Sequence, residues 1–287
     1  MNISGHAKVA GVVGWPVGHS LSPRLHGYWL KEHGIDGAHV PLAVEREYFA
    51  KAIQGLRAAG IVGVSVTNPH KEAAFALADN VDDAARAAGA ANLLVFRNGE
   101  VEARNTDAYG FAAALTEALG EGAFTGKCAV LLGAGGAARG VALALDRLGA
   151  AEISIVARNL SRANVLAESL RAGTKTKLVA ESWLGFSNAA SRAALLVNAT
   201  SAGLAGNQPL DLSLDALPRA SVVCDIVYNP LETGLLKDAR ARGHRTIDGL
   251  GMLMHQAVPA FEAFFGVTPR VTSGLRTELE KALRHGG

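Results

Sequence analysis

Cysteine is scarce in this chain of 287 residues: only Cys128 and Cys224 occur, each inside an apolar strand-like run. Two such residues cannot build the disulfide framework of a small secreted fold, so buried, reduced thiols are expected. No His/Cys grouping has metal-ligand spacing, and no metal site is expected. No apolar run reaches the roughly 18 residues needed to cross a bilayer. The opening Met-Asn-Ile-Ser-Gly-His-Ala-Lys has no apolar segment of signal type, and the apolar residues after it are interrupted by Gly14, Pro16 and Gly18. The expectation is a cytoplasmic protein. A net charge of only +2, without a clustered basic run, argues against nucleic acid or an anionic membrane as partner. Fixed-period repeats and low-complexity tails are missing too.

What is plentiful points to an ordered α/β protein. Hydrophobic residues make up 49% and charged residues 19%, and 33 glycines suit many tight strand-to-helix turns. The length accommodates two domains with large cores. Strand-like and helix-like segments alternate almost throughout, which predicts mostly parallel sheets. Strands are expected at Val9 to Val13, His39 to Val44 and Ile61 to Thr67, with a helix opening near Ser22-Pro23 behind a Ser able to cap it. Helices are expected over Glu47 to Ala59 and from Pro69 through Arg86. Asn98-Gly99 predicts a hairpin turn between Asn92 to Phe96 and Val101 to Arg104. A helix to about Leu119 follows. Beyond a turn-rich linker come strands at Cys128 to Leu132, Glu152 to Val156, Ala194 to Asn198, Val222 to Ile226 and Arg245 to Asp248. Two last helices, Met252 to Phe265 and Thr272 to His285, have no strand after them and are expected to return to the first domain.

The most informative stretch is Cys128 to Gly140. Gly133, Gly135 and Ala138 take the three small-residue places of a G-x-G-x-x-G/A turn from strand to helix. Gly133 permits the tight turn, Gly135 admits a pyrophosphate to the backbone, and Ala138 lets the helix sit close on the strand. The helix N-terminus then points its free N–H groups at the phosphates. An acidic residue at the far end of the next strand would hold the 2′-hydroxyl of NAD; here stand Ala157, Arg158 and Asn159, with Arg162 one turn on, and Glu152 is at the wrong end. Guanidinium groups there suit a 2′-phosphate, so the expected cofactor is NADP; the alternative is two solvated helix-start charges. Residues 198–201 and 225–228, at strand carboxyl ends, are expected to face the cofactor.

A nicotinamide enzyme also needs a group to protonate the oxygen left by hydride transfer. Lys71 and Asp107 are the candidates, each just after a strand and preceded by polar residues; the alternative is a surface Lys and a helix-capping Asp. His19 and His70 flank the same stretches, and the bland reading is preferred for both because a Lys/Asp pair already fills the role. His255 reads as packing or lining, Trp15 as a residue of the substrate mouth, and Trp29 and Trp183 as core residues of helix faces. Arg276 to Arg284, alternating with Glu278 and Glu280, reads as a solvated face.

Gly14-Trp-Pro-Val-Gly-His-Ser20-Leu-Ser22-Pro-Arg-Leu-His26 resembles the signature of the shikimate dehydrogenase family, as do Val66-Thr67-Asn-Pro-His-Lys71, Gly89-Ala-Ala-Asn92 and Asn105-Thr106-Asp107. The series continues in order through Gly133 to Ala137, Asn198 to Gly203, Asp225 to Pro230 and Asp248 to Ala257. The resemblance implies two domains, residues 1–108 with 250–287 binding substrate and residues 109–249 forming a Rossmann dinucleotide-binding domain. It implies NADPH-dependent, reversible reduction of 3-dehydroshikimate to shikimate in aromatic amino-acid biosynthesis, by a monomer or homodimer acting on a small molecule. Lys71 and Asp107 would be the catalytic pair. Ser20 and Ser22 would bind the substrate carboxylate, with Tyr228 nearby, while Ser65, Thr67, Asn92, Asp107 and Gln256 would face the ring hydroxyls. Gly133, Ala134, Gly135, Gly136, Ala137, Arg158, Asn159, Arg162, Thr200, Ser201, Ile226 and Gly249 would hold the cofactor, with Gly251 and Met252 beside the nicotinamide. Ser65 stands where the family usually has Asn, Leu93 where it has Thr, Gly27 where it has Asn, and Ala157-Arg158-Asn159 where it has Asn-Arg-Thr. These departures leave open quinate or an aminated shikimate as substrate, or a non-catalytic NADP-binding sensor.

Overall fold

The structure, a computed structural model, describes residues 3–284. The expected end of the last helix at His285, and the first two residues of the N-terminal reading, lie outside them. The chain forms two compact units, residues 1–106 with 256–287 and residues 107–255. The chain thus crosses at Thr106–Asp107 and His255–Gln256, two residues before and six after the expected crossings.

In the first unit the elements run β1 (Lys8–Gly14), α1 (Ser22–Glu32), β2 (Gly37–Ala43), α2 (Phe49–Ala58), β3 (Gly63–Val66), α3 (Lys71–Ala76), β4 (Asn80–Val81), α4 (Asp83–Ala88), β5 (Leu93–Arg97) and β6 (Glu100–Arg104). They build a six-stranded sheet in the order β2-β1-β3-β5-β6-β4. β1 lies parallel to β2 and β3, but β5 is antiparallel to both β3 and β6. The hairpin imposes the second of these pairings: Asn98 and Gly99 both take positive φ, 53° and 79°, the twist that suits a two-residue turn. The single helix expected up to Arg86 is two short ones with a strand between them. Asp79 accepts from Val101 N–H at 2.8 Å and Asp82 caps α4 by accepting from Ala85 N–H at 2.6 Å, so the intervening residues extend along β6 despite their alanine-rich flanks. Phe49, Ile53, Val64, Val66 and Leu94 form the core on one face of the sheet.

The second unit opens with α5 (Asp107–Leu119) and continues through β7 (Cys128–Leu132), α6 (Gly136–Arg147), β8 (Glu152–Ala157), α7 (Leu160–Arg171), β9 (Lys177–Ser182), α8 (Phe186–Ala190), β10 (Leu195–Asn198), β11 (Val222–Asp225), α9 (Gly234–Ala241) and β12 (Arg245–Ile247). α10 (Leu250–Phe265) carries the chain back, and α11 (Ser273–Arg284) ends the description in the first unit. The six strands are all parallel, ordered β12-β11-β10-β7-β8-β9, a doubly wound sheet whose order reverses between β7 and β10. Near-continuous apolar runs such as Cys128–Leu132 are what strands covered on both faces require. β9 was not expected; as an edge strand carrying Lys177, Glu181 and Ser182 it needs no apolar face. Glu152, buried at the start of β8, pairs with Lys177 at 2.8 Å and Arg192 at 2.6 Å. Cys224 is buried as expected, but Cys128 is only half-buried. Among the described residues no helix is long and apolar enough to cross a membrane, and no group of three His, Cys, Asp or Glu is placed to hold a metal.

His26 on α1 and His39 on β2 stack with ring centres 4.0 Å apart and planes 3° from parallel, walled by Trp29, Phe261 and Phe264. Both nitrogens of His39 and Nδ1 of His26 are buried with no hydrogen-bond partner. Desolvation holds His39 down to about 3 and His26 well below its ordinary value, the latter also through His39. The unfolded chain takes up protons near pH 6.5 and the folded one does not, so stability falls as pH drops below about 6.5 and continues falling toward about 3. His39→Phe is expected to flatten the fall in urea midpoint between pH 6.5 and 4. An unaltered slope would remove His39 from the acid response.

Candidate active site

The second unit holds a cavity of about 780 Å³ at the carboxyl ends of its strands. Gly133, φ +110°, turns the chain off β7 where a Cβ would stand 3.1 Å from the Ala199 carbonyl. Gly135 is the extended N-cap of α6, and a Cβ on it would meet nothing within 4 Å. Ala138 is wholly buried against the sheet. The first N–H groups of α6 therefore open toward space that an anion can enter. Arg158 and Arg162 line the same cavity, with Asn159 between them capping α7 by accepting from Arg162 N–H at 3.3 Å. Neither guanidinium has a carboxylate partner among the described residues, and no acidic residue occupies the first turn of α7. Two cations at the positive end of a helix are unfavourable alone, and a bound dianion offsets that cost. The residues present thus fit a 2′-phosphorylated dinucleotide.

Ala199, Thr200 and Ser201 continue the lining, shaped by a network below it. Asn198 and Asp225 do not face the cavity as expected; both are fully buried and bond each other, Asn198 Nδ2 donating to Asp225 Oδ1 at 3.0 Å. Asn198 Oδ1 accepts from Thr200 Oγ1 at 2.7 Å, and Thr233 Oγ1 donates to Asp225 Oδ2 at 2.7 Å. Burial raises the Asp225 pKa, against these hydrogen bonds and the one from Val227 N–H, which lower it. Thr233 lies outside every motif singled out in the sequence; as N-cap of α9 it ties that helix to the network. Ile226, Gly249 and Met252 line a separate small cavity with Phe111 and Cys224. A Cβ on Gly249 would lie 2.1 Å from the Ile226 carbonyl, so only glycine fits. Burial, then Asp225 and Asp248, push the Cys224 thiol up, leaving it inert. Gly136 and Ala137 form the first turn of α6 and line neither cavity.

Within the first unit, loops at the carboxyl ends of β1, β3 and before β5 are laced together. Thr67 N–H donates to Val13 O at 2.9 Å and Trp15 N–H to Asn68 O at 3.1 Å. The Lys71 carbonyl accepts from Ala91 N–H at 2.9 Å. Ser22 N–H donates to Ser20 Oγ at 3.3 Å; Ser22 is itself the first residue of α1, whose N-cap is Leu21 without a side-chain bond, so the expected serine cap is replaced by this turn. Lys71 opens α3, rather than Pro69. Ser65 on β3 is the register partner of Leu93 on β5, so two of the departures from the family pattern are direct neighbours. Asn92 makes a buried node: Oδ1 accepts from Thr106 N–H at 2.9 Å, while Nδ2 donates to Thr106 Oγ1 at 2.9 Å and Gln256 Oε1 at 3.1 Å. Thr106 Oγ1 donates to Gln256 O at 2.8 Å.

Asp107 begins α5 and Tyr228 follows β11, both within the second unit. Asp107 is buried, and a Cβ at Gly140 on α6 would stand 3.1 Å from its Cβ. His70 is core, stacked on Phe49 at 4.5 Å with Nε2 bonded to Val44 O at 2.7 Å; His19 and Trp15 are exposed. His255 Nε2 pairs with Glu117 at 2.8 Å, and Arg276 pairs with Glu280 at 2.9 Å. Trp29 is core as expected, whereas Trp183 lines the large cavity.

A glycine-cornered cavity at the switch point of a doubly wound parallel sheet, with paired arginines at the next strand end, defines a dinucleotide-binding α/β protein of dehydrogenase type. Residues 12–94 match the family model described as shikimate dehydrogenase substrate binding domain. A shikimate dehydrogenase (NADP(+)) from Rhodospirillum rubrum is 50% identical over 275 residues, covering 96% of this chain and 97% of that one. A structure of shikimate 5-dehydrogenase from Thermus thermophilus in complex with NADP(H) and shikimate is 34% identical with a TM-score of 0.83, covering 97% and 99% of the two chains. A quinate dehydrogenase from Corynebacterium glutamicum in complex with NAD is 30% identical with a TM-score of 0.87, covering 96% and 99%. The chain belongs to the shikimate dehydrogenase family.

The Asn198–Asp225–Thr233 network carries a stability prediction. Thr233→Val leaves a buried carboxylate oxygen and the α9 cap without a donor and acceptor, and is expected to cost about 1–3 kcal/mol in denaturant unfolding. A change near zero would mean that water replaces the hydroxyl.

Proposed function

We propose that this protein catalyses the NADPH-dependent, reversible reduction of 3-dehydroshikimate to shikimate, with the first unit binding the substrate and the second the dinucleotide. The observation that carries the reading is the 50% identity to an NADP-linked shikimate dehydrogenase over 96% of this chain. When bound, the cofactor supplies the hydride. The protein's part is positional and electrostatic. The hydroxyls of Ser20 and Ser22 hold the substrate carboxylate, with Tyr228 beside it, and Ser65, Thr67, Asn92 and Gln256 hold ring hydroxyls. Lys71 stabilises the developing alkoxide and gives it the proton that completes the hydroxyl; Asp107 supplies a carboxylate that accepts a hydrogen bond from the substrate. Gly133, Ala134, Gly135, Gly136 and Ala137 hold the pyrophosphate, while Arg158, Asn159 and Arg162 hold the 2′-phosphate and Thr200 and Ser201 the adjoining wall. Ile226, Gly249 and Met252 bound the nicotinamide end. The protein acts in the cytoplasm as a monomer or homodimer, without nucleic acid or membrane partner.

The adjacency of Ser65 and Leu93 favours a second reading, in which quinate or an aminated shikimate is the better substrate, since a serine hydroxyl reaches less far than an asparagine amide. The test is initial velocity with shikimate and quinate against NADP+ and NAD+. Preference for shikimate with NADP+ supports the first reading, and preference for quinate or NAD+ overturns its specificity. Silence with all four pairs, alongside NADPH binding, would identify a sensor.

Lys71→Ala and Asp107→Ala are each expected to lower kcat by roughly 10³-fold or more with unchanged thermal unfolding, the scale of losing a proton donor or a carboxylate that holds the substrate. Near-normal turnover in both would refute the pair. Arg158→Ala is expected to weaken NADPH by roughly tenfold or more while leaving NADH nearly unaffected, measured as dissociation constants. Equal weakening of both would refute a 2′-phosphate contact.

A further inference from the structure

We infer that Trp183 is the surface on which the adenine ring of the dinucleotide stacks. The inference rests on the nucleotide reading above and adds to it a residue outside every motif. β8 and β9 run parallel with Val156 beside Glu181 and Ala157 beside Ser182. Arg158 and Trp183 are therefore the next residues off two neighbouring paired strand ends. Both line the large cavity. Ser182, extended at φ −74° and ψ 166°, leads into a short 3₁₀ turn over Trp183–Gly185, which takes the chain off the sheet at the cavity edge.

The chemistry of the lining divides by region. The turn after β7 offers backbone N–H groups, and the end of β8 offers two guanidiniums; both suit phosphate. Trp183 and Leu210 suit neither, yet both line the cavity while packing against the core that includes Phe186 and Leu196. An indole anchored on the core and half-exposed beside phosphate-binding groups is a wall for a flat apolar ring, and in a nucleotide attached to those phosphates that ring is the base. The neighbouring Arg158 extends the platform, since a guanidinium also stacks on a π-face. The other tryptophans cannot serve: Trp29 is fully buried and Trp15 is exposed, both in the first unit.

The test uses the full chain with adenosine 2′,5′-bisphosphate, which carries the base and the 2′-phosphate but no nicotinamide. Calorimetric titration and tryptophan emission are followed in parallel. Saturation is expected to change the emission of the native protein, and Trp183→Phe is expected to abolish that change while retaining measurable binding. Trp183→Leu is expected to weaken adenosine 2′,5′-bisphosphate roughly tenfold, the usual scale of a lost base–aromatic stack, and to weaken NADPH and NADH by the same factor because both carry adenine. This parallel loss separates Trp183 from Arg158, whose removal discriminates between the two coenzymes. Emission from Trp29 reports that each variant is folded. Unchanged emission at saturation, or native affinity in Trp183→Leu, would overturn the inference while leaving the nucleotide site standing. Failure of the native protein to bind adenosine 2′,5′-bisphosphate or NADPH would overturn the nucleotide site itself.

Discussion

The first unit depends on a single asparagine. Asn92 bonds Thr106, the last residue before the chain leaves that unit, and Gln256, the first after it returns. Thr106 also bonds Gln256 directly, its Oγ1 donating to the Gln256 carbonyl at 2.8 Å, so the three residues form one hydrogen-bonded node. The main chain of Asn92 completes the tie: its N–H donates to Arg104 O at 3.1 Å, and its carbonyl accepts from Val66 N–H at 2.7 Å. One side chain and its backbone thus fix where the chain exits, where it re-enters, and how the end of β3 lies beside both. Asn92 and Gln256, both proposed to hold substrate, belong to this node, and Thr67 follows the end of β3 that it fixes. Their precision follows from a rigid buried network, since loops alone are poor at holding polar groups in place.

The second unit solves a different problem, presenting charge to solvent without a partner. The Asn198–Asp225–Thr233 network fixes the loops after β10 and β11 from below, its buried polar groups bonding one another and the Thr200 and Val227 N–H groups of those loops. Above it, helix N-termini and two guanidiniums accumulate positive potential with one carboxylate, Asp211, in the lining. Such an arrangement stores electrostatic cost in the empty protein and recovers it when a polyanion binds. The buried network makes the rim rigid enough for that potential to be directed.

Local chemistry was legible in the sequence wherever a residue's role is set by its own neighbours in the chain. Gly133 specifies a turn because its φ of +110° favours glycine, and Asn98-Gly99 specifies a hairpin because both residues tolerate the positive φ that a two-residue turn needs. The apolar run of β7 specifies a covered strand. The strands β4 and β9 were not legible, because β4 is only two residues long and β9 has no buried residue to mark a hydrophobic period. Nor was the antiparallel insertion of β5 between β3 and β6, since pairing partners are chosen by the whole sheet.

The sequence by itself determined two sets of βα units, a phosphate-binding turn, a basic strand end after β8, and the inventory of groups able to bind a hydroxy acid and move a proton. Tertiary structure alone decided where side chains of mixed character go. Phe49 and the Val44 carbonyl enclose His70, and Trp183, read as a core residue, packs on the core yet lines the large cavity because β9 delivers it there. Asn198 and Asp225, 27 residues apart, turned inward to each other. The physical reason is common to all of them: a polar or aromatic side chain takes its place from partners distant in sequence that can satisfy its hydrogen bonds or cover its ring, and only the folded chain brings those partners within reach.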